Sequence, residues 1–527
     1  MRDTPVKKSP FVVGFFISGM AALIYEELWT KELALIFGST GYALSTVLAS
    51  FMSGLAIGSL AGGRVAKRRD PAATFGHIQI ALCLTSVIMS ACIDRLSPVF
   101  ALLYYSFKGM PTLFLLTQFV TIFVLLLIPT IMMGMTFPLA MAGYVTSIEN
   151  VSVDSGRLYA FNTIGSVVGA VLAGFVTIPL LGLNNTLYIA SLCNFLAAVV
   201  VLARKREKAT ALAVLLLATA THASLPPRDY YFNLYNANRT PSYEGFRKGA
   251  EFFRVVWRKD DPEGTVVITQ GVTATDHYGL TIRGKPEGAS PDPVGNPSPE
   301  LMSFLLLAYR PEAKSYLKIG LGTGETVMAA SREKGLQNID VVEINRGVIE
   351  ASRRYFFPGI FQDRRVSFIV ADARKYLYLN DVSYDIISSQ ATDPTDESSG
   401  FLFTREYFTI VKSRMGKNGI FGMFLPTYLL KEKGSDIVVK TFVSVFPYCY
   451  SWRILDIPFL VASLQPLDTP PAEIVRRIEA YSPGRTADLE FISDAAKMKD
   501  FAAKAPVPLN TDNWPLVEYL AARNLIE

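Results

Sequence analysis

Tyr316-Leu-Lys-Ile-Gly-Leu-Gly-Thr-Gly-Glu-Thr326 is the most informative run in the chain. A short β-rich run, Tyr316 to Ile319, feeds a turn carrying Gly320, Gly322 and Gly324, and an apolar helical pattern starts at Thr326. Glycines at those places let the backbone turn tightly and let a ligand approach it closely. The free N–H groups at the start of the next helix can then hold the polar end of that ligand. Twenty residues on, Asp340-Val-Val-Glu343-Ile reads as a second strand ending in an acid, placed to accept both hydroxyls of a ribose. Phe368-Ile-Val-Ala-Asp372-Ala373 reads as a third strand, with Asp372 placed to meet an adenine amino group. The turn has no Walker lysine, so it is not a P-loop. The order strand, glycine turn, helix, strand, acid, helix, strand, acid predicts a nucleoside-binding doubly wound half of S-adenosyl type.

Working outward, the 527 residues allow two or three domains. Half of them are apolar and the mean hydropathy is +0.29, high for a soluble enzyme. The net charge of +5 is modest and forms no stripe, which argues against nucleic acid as a partner. Four cysteines without a CxxC pair and three histidines argue against a disulfide framework and against a metal site.

The first half reads as membrane. Apolar runs lie at residues 11–36, 42–63, 73–94, 112–142, 158–181, 184–203 and 209–224. The first six approach or exceed the roughly 20 residues that a bilayer span needs. With six spans, Lys7 and Lys8, the Arg64 to Arg69 cluster, and the Arg204 to Lys208 cluster all fall on one face, the cytoplasmic one. The seventh run holds Thr219, Thr221 and His222, and either crosses or lies in the interface. Gly54, Gly58 and Gly62 give one helix a flat face for close packing, and Gly165 and Gly169 repeat the device. Glu26, Glu27, Lys31 and Glu32 leave two readings open: charges at membrane depth that mark function, or a helix that ends near Tyr25.

From Pro226-Pro227, read as a linker, the composition turns polar. Phe253 to Trp257, Gly264 to Thr269 and Tyr278 to Ile282 predict a small antiparallel sheet. Gly288 to Pro299 is expected to be an irregular proline-rich loop, and Leu301 to Tyr309 a helix. Tyr384 to Ser388 is another buried strand, followed by the polar loop Ser389 to Gly400, which should border the ligand crevice. Leu402 to Phe408 starts a helix, and Gly419 to Phe424 is the next strand.

Several of these pieces carry a resemblance. Gly320-Leu-Gly-Thr-Gly324, Val342-Glu343-Ile, Ala371-Asp372-Ala373, Tyr384-Asp-Ile-Ile, Thr392-Asp393-Pro394 and Leu402-Phe-Thr-Arg-Glu-Tyr-Phe408 resemble the polyamine aminopropyltransferases, the spermidine synthase family, over about residues 252–430. The whole chain is similar to the membrane-fused spermidine-synthase-like proteins of bacteria. That wider likeness includes Ala21-Ala-Leu-Ile-Tyr-Glu26, Gly54-Leu-Ala-Ile-Gly-Ser, Leu158-Tyr-Ala-Phe-Asn-Thr-Ile-Gly165 and Asn510-Thr-Asp512-Asn-Trp-Pro-Leu-Val-Glu518-Tyr.

The resemblance implies decarboxylated S-adenosylmethionine as aminopropyl donor, with S-adenosylmethionine as the alternative, and a diamine acceptor. It implies that Glu343 holds the donor ribose and Asp372-Ala373 the adenine. The family's aspartate two residues before the Thr-Asp-Pro turn prepares the attacking amine, since an alkylammonium is no nucleophile until a base takes its proton. Here that position is Gln390, which cannot take a proton or balance a cation. The family's Tyr-His-Glu run falls on Ser303, Phe304 and Leu305, so the far anchor for a diamine is missing too. Asp393, Asp396 and Glu397 remain in the loop as substitutes, with a solvated acidic turn as the alternative.

The expected fold is thus a multi-pass α-helical membrane domain over 1–225 with six to seven helices, a linker and small β region over 226–310, and an α/β doubly wound, Rossmann-like domain over 311–527. The expected catalytic residues are Gln390 and Asp393. The expected donor-binding residues are Gly320, Gly322, Gly324, Glu343, Asp372 and Ala373, with no metal. The expected partners are an amine or other nucleophilic acceptor and the lipid bilayer, with a homodimer as the assembly allowed for. Because both donors are made in the cytoplasm, the soluble half is expected there; seven literal crossings would put it in the periplasm. Methyl transfer is the close rival. A non-catalytic sensor coupled to a membrane half that resembles major-facilitator-type transporters is the alternative from another class.

Overall fold

The computed structural model describes residues 8–37, 41–224, 240–290, 298–390 and 393–526. The Pro226-Pro227 linker and Ala391-Thr392 of the polar loop lie outside them, as do the side chains of Glu397 and Ser398. The chain divides into two compact units, one mainly of residues before Ala237 and one mainly of residues after Glu263.

The first unit is helical. Its helices are α1 (Lys8–Phe37), α2 (Gly41–Ala66), α3 (Pro71–Ser106), α4 (Pro111–Tyr144), α5 (Val151–Val171), α6 (Ile178–Val201) and α7 (Lys205–Ser224). Five helical stretches among the described residues are long and apolar enough to cross a membrane. The fifth, Val151–Val201, runs for 51 residues, about twice what one span needs. Gly182, at φ 80°, breaks it. A side chain there would be strained, so glycine is the residue that lets one apolar run serve as two helices. α7 is not among the five, although its Ala211, Leu215 and Ala218 are buried against α3 and α6.

Close helix packing follows from the spaced glycines. A Cβ at Gly54, Gly58 or Gly62 would collide with Thr130, Ile131 and Met135 of α4, and one at Gly165 or Gly169 with Phe16 or Met20 of α1. Association in an apolar medium relies on such contact, because burial from water supplies no drive there. α1 bears on the two readings of its charged end. It continues unbroken to Phe37, so the reading in which it stops near Tyr25 is overturned. Glu32 has no exposed surface.

The second unit opens with a helix the sequence pattern did not announce, α8 (Tyr243–Glu251), capped by Ser242, whose side chain accepts from Gly245 N. A four-stranded sheet follows in the order β1 (Phe253–Asp261), β2 (Gly264–Gly271), β3 (Tyr278–Ile282) and β4 (Lys285–Ser290). β4 corrects the expected irregular loop at its first residues: Gly288 pairs with Leu280, and Ser290 with Tyr278. Only Pro299 and Ser298 of the later part are described, and they already belong to α9 (Ser298–Tyr309). Every residue from Leu301 to Tyr309 is buried. A helix apolar all round belongs inside a core, and α9 shares one core with Val266, Ile268 and Leu280 of the small sheet.

The main sheet has eight strands in the order β12-β10-β11-β9-β8-β5-β6-β7. β5 (Ser315–Ile319) pairs in parallel with β6 (Asn338–Glu343) on one side and β8 (Tyr384–Ser389) on the other. β7 (Val366–Val370) and β9 (Met415–Phe424) extend the parallel part. β11 (Ile457–Ser463) then runs antiparallel to β9 and to β10 (Tyr448–Ile454), and β12 (Leu489–Ser493) closes the edge. The chain leaves β5 toward β6 and returns to β8 on the opposite side. The strand order therefore reverses at β5, which opens a crevice at the carboxyl ends of β5 and β8.

Candidate functional site

That crevice holds a cavity, lined by Gly320 and Gly322 of the glycine turn, while Gly324 lies off it. Gly320, Gly322 and Gly324 take φ of 77°, 57° and 99°. All three lie in the left-handed region that side chains resist. Gly324 has a second constraint: a Cβ there would meet Ser352 Oγ at 2.8 Å and Ile360 Cδ1 at 2.9 Å. Gly320 and Gly322 face open space, so strain alone fixes them. α10 (Glu325–Ser331) starts directly after the turn.

The two expected acids both line the cavity, with different ties. Glu343 ends β6 and is buried, with Oε2 accepting from Leu321 N at 2.8 Å and Oε1 from Asn345 N at 2.9 Å. Burial pushes its carboxyl up, and the two backbone N–H groups and Lys318 oppose that. Each oxygen keeps lone-pair capacity beyond its one backbone bond, which is what a pair of vicinal hydroxyls requires. Asp372 spends Oδ1 on Lys375 N at 2.7 Å and so caps the helix Ala373–Leu379. Ala373 lines the cavity beside it.

On the opposite wall, Gln390 follows β8. Its Oε1 accepts from Lys318 Nζ and from Thr326 Oγ1, both at 2.8 Å, and its Nε2 points at Met302 Sδ at 3.2 Å. Asp393 lines the cavity, and its Oδ1 accepts from Thr395 N at 3.0 Å. Asp396 is ion-paired with Arg283 of the β3–β4 turn. Ser303 and Phe304 have no exposed surface, and neither lines the cavity.

Residues from the small sheet close the site, which sequence reasoning did not foresee. Lys285 is buried and lies 3.1 Å from Glu287, itself a cavity residue. Burial works against its charge, but Glu287 and Asp393 outweigh burial and raise its pKa. Lys318 was missed as well, and its signal was present: a lysine inside the apolar run Tyr316 to Ile319, on a strand with neighbours on both sides, is an anomaly in itself. The C-terminal Asn510 to Glu518 stretch braces the wall. Asp512 binds Arg374 in a two-pronged pair, one prong at 2.8 Å, and Asn510 Nδ2 donates to Phe403 O at 3.1 Å. Among the described residues no cluster of His, Cys, Asp or Glu is set to hold a metal.

The family model of the spermine/spermidine synthase domain matches residues 298–462. The polyamine aminopropyltransferase of Clostridium botulinum is 32% identical over 123 residues, covering 23% of this chain and 43% of that protein. That of Methanocaldococcus jannaschii is 32% identical over 124 residues, covering 23% and 42%. That of Alkaliphilus oremlandii is 28% identical over 157 residues, covering 28% and 54%. The chain thus spans about half or less of the length of the curated relatives it matches. Among solved structures, the spermidine synthase of Thermotoga maritima aligns at 19% identity and a TM-score of 0.38, covering 48% of this chain and 85% of that one.

Proposed function

We propose that the α/β unit is a transferase that takes its group from an S-adenosyl-type donor, with aminopropyl transfer from decarboxylated S-adenosylmethionine as the leading reaction. The acceptor is less cationic than a diamine. The observation that carries this reading is the contrast across one cleft: Glu343 is held with free lone pairs beside a left-handed glycine turn, while Gln390, an amide where the resemblance implies a carboxylate, is held by Lys318 and Thr326.

Glu343 would take the donor's ribose hydroxyls, and the cavity rim at Asp372 and Ala373 its adenine. The acceptor's lone pair forms a bond to the donor carbon next to sulfur. The carbon–sulfur bond breaks with its electron pair going to sulfur, and the sulfonium becomes a neutral thioether. The proton released by the acceptor goes to a carboxylate in the cleft, a role we assign to Asp393, which lines the cavity. Gln390 has no proton-accepting role in this scheme.

The helical unit is proposed to lie in the bilayer, with the α/β unit on the cytoplasmic side where both donors are made. A C-terminal reporter fusion tests that side. The chemistry is tested by incubating the full-length protein, in detergent, with each donor and a panel of amines, alcohols and thiols, then reading the adenosyl product by mass. Methylthioadenosine formed from the decarboxylated donor supports the reading. S-adenosylhomocysteine formed from S-adenosylmethionine would replace it by methyl transfer. Tight donor binding without product over the whole panel would replace it by a sensor.

A further inference from the structure

Lys318 has no exposed surface, and its strand is paired on both sides. A buried ammonium is costly unless something compensates it. Burial pulls its pKa down to about 7, with Glu343 opposing. What the amine does with its N–H groups is specific. One is given to Gln390 Oε1 at 2.8 Å, and a longer contact of 3.4 Å reaches Ile319 O.

Thr326 Oγ1 donates to the same Gln390 oxygen. Two donors fill both lone pairs of that carbonyl. At the other end of the amide, one N–H is directed at Met302 Sδ. Since Gln390 lines the cavity, the group left for a ligand is its second N–H. Turning the amide over would take its oxygen away from both donors and, with the lysine protonated, would press NH2 against a group that has no lone pair to accept it.

We infer that Lys318 is a specificity-determining positioning residue. With Thr326 it pins the Gln390 oxygen inward, so the cleft meets an N–H donor, and the acceptor must bring an uncharged, lone-pair-bearing group such as a hydroxyl to that point instead of an alkylammonium. The inference rests on the transferase reading, which supplies the acceptor.

Restoring a carboxylate by Gln390→Asp does not by itself restore an ammonium site. Lys318, within hydrogen-bond reach of residue 390, takes that carboxylate as its own counter-ion. The lysine has to go as well.

The test uses the full-length protein in detergent, first titrated with methylthioadenosine and then, at saturation, with putrescine or 4-aminobutan-1-ol. These probes share one carbon frame and differ at one end. Wild type is expected to bind the amino alcohol about tenfold tighter or more, the factor set by one mismatched buried hydrogen bond. Gln390→Asp keeps that order. Lys318→Met with Gln390→Asp reverses it. Retained methylthioadenosine affinity shows that the variants are folded, and the wild-type comparison stands without them.

Wild type that binds putrescine as well as the amino alcohol, or binds neither, overturns the inference. So does a Gln390→Asp variant that reverses the order as fully as the double variant. Absence of methylthioadenosine binding to wild type is a different failure, read before any acceptor is added, and it removes the transferase reading itself.

Discussion

The two walls of the crevice are built by opposite strategies. On the β5–β6 side, backbone geometry does the work: three left-handed glycines and a carboxylate held by two main-chain N–H groups. On the β8 side, side chains from distant parts of the chain do it: Lys318, Thr326 and Met302 converge on the Gln390 amide. A wall made of backbone resists change, because each substitution strains the fold. A wall made of side chains can be rewritten by one or two substitutions with the fold intact. That difference leaves the Gln390 side of the cleft the easier one to rewrite.

The comparison breaks most visibly at Gly324. Gly324→Val meets both positive φ and two contacts below 3.0 Å. It should destabilise the α/β unit by about 3 kcal/mol or more and abolish adenosyl binding, read by thermal shift and calorimetry. If Gly324→Val binds normally, the backbone wall is not rigid in the way described.

Lys318→Met tests the side-chain wall through pH. The unfolded amine is protonated below about 10.4, the folded one only below about 7. Between those values the unfolded chain binds more protons, so the stability of wild type rises with pH across that window. Below about 7 the burial penalty is complete. The variant should therefore be more stable than wild type at pH 6.5, with that advantage shrinking by about 2–4 kcal/mol by pH 9.5, as read from melting temperatures at the two values. An advantage that is the same at both would mean the amine is not held neutral.

Asp512→Asn is the smallest effect. It removes one charge of the half-buried pair with Arg374, and a loss of about 1 kcal/mol is expected. Because this pair braces the wall without facing the donor carbon, putrescine and amino-alcohol affinities should move together. A selective change in one of them would make the C-terminal stretch part of the acceptor site.

The backbone wall was also the legible one. Glycines spaced by two after a β-rich run, and an acid at the end of the next strand, are local patterns that a single strand–turn–strand unit must show. Gln390 could be placed from sequence in the loop that borders the crevice. Its orientation could not, since Lys318 lies 72 residues away in the chain. Gly288 to Ser290 were read as the start of a proline-rich loop, which pairing with β3 overrides through a shift in register. Asp372 was legible as a strand-end acid but not as a helix cap, a role set by the three residues after it. The charged end of α1 stayed open in the sequence because hydropathy measures transfer to lipid, while helix length there is set by burial of Leu28, Trp29 and Leu33 inside the helical unit.

The most direct test of the central claim is calorimetry of decarboxylated S-adenosylmethionine with the full-length wild type and with Glu343→Ala. The account predicts one donor per chain for wild type and at least about tenfold weaker binding for the variant, the loss expected when hydrogen bonds to a buried carboxylate disappear. No binding of any adenosyl compound to wild type, or equal affinity for the two proteins, would contradict it.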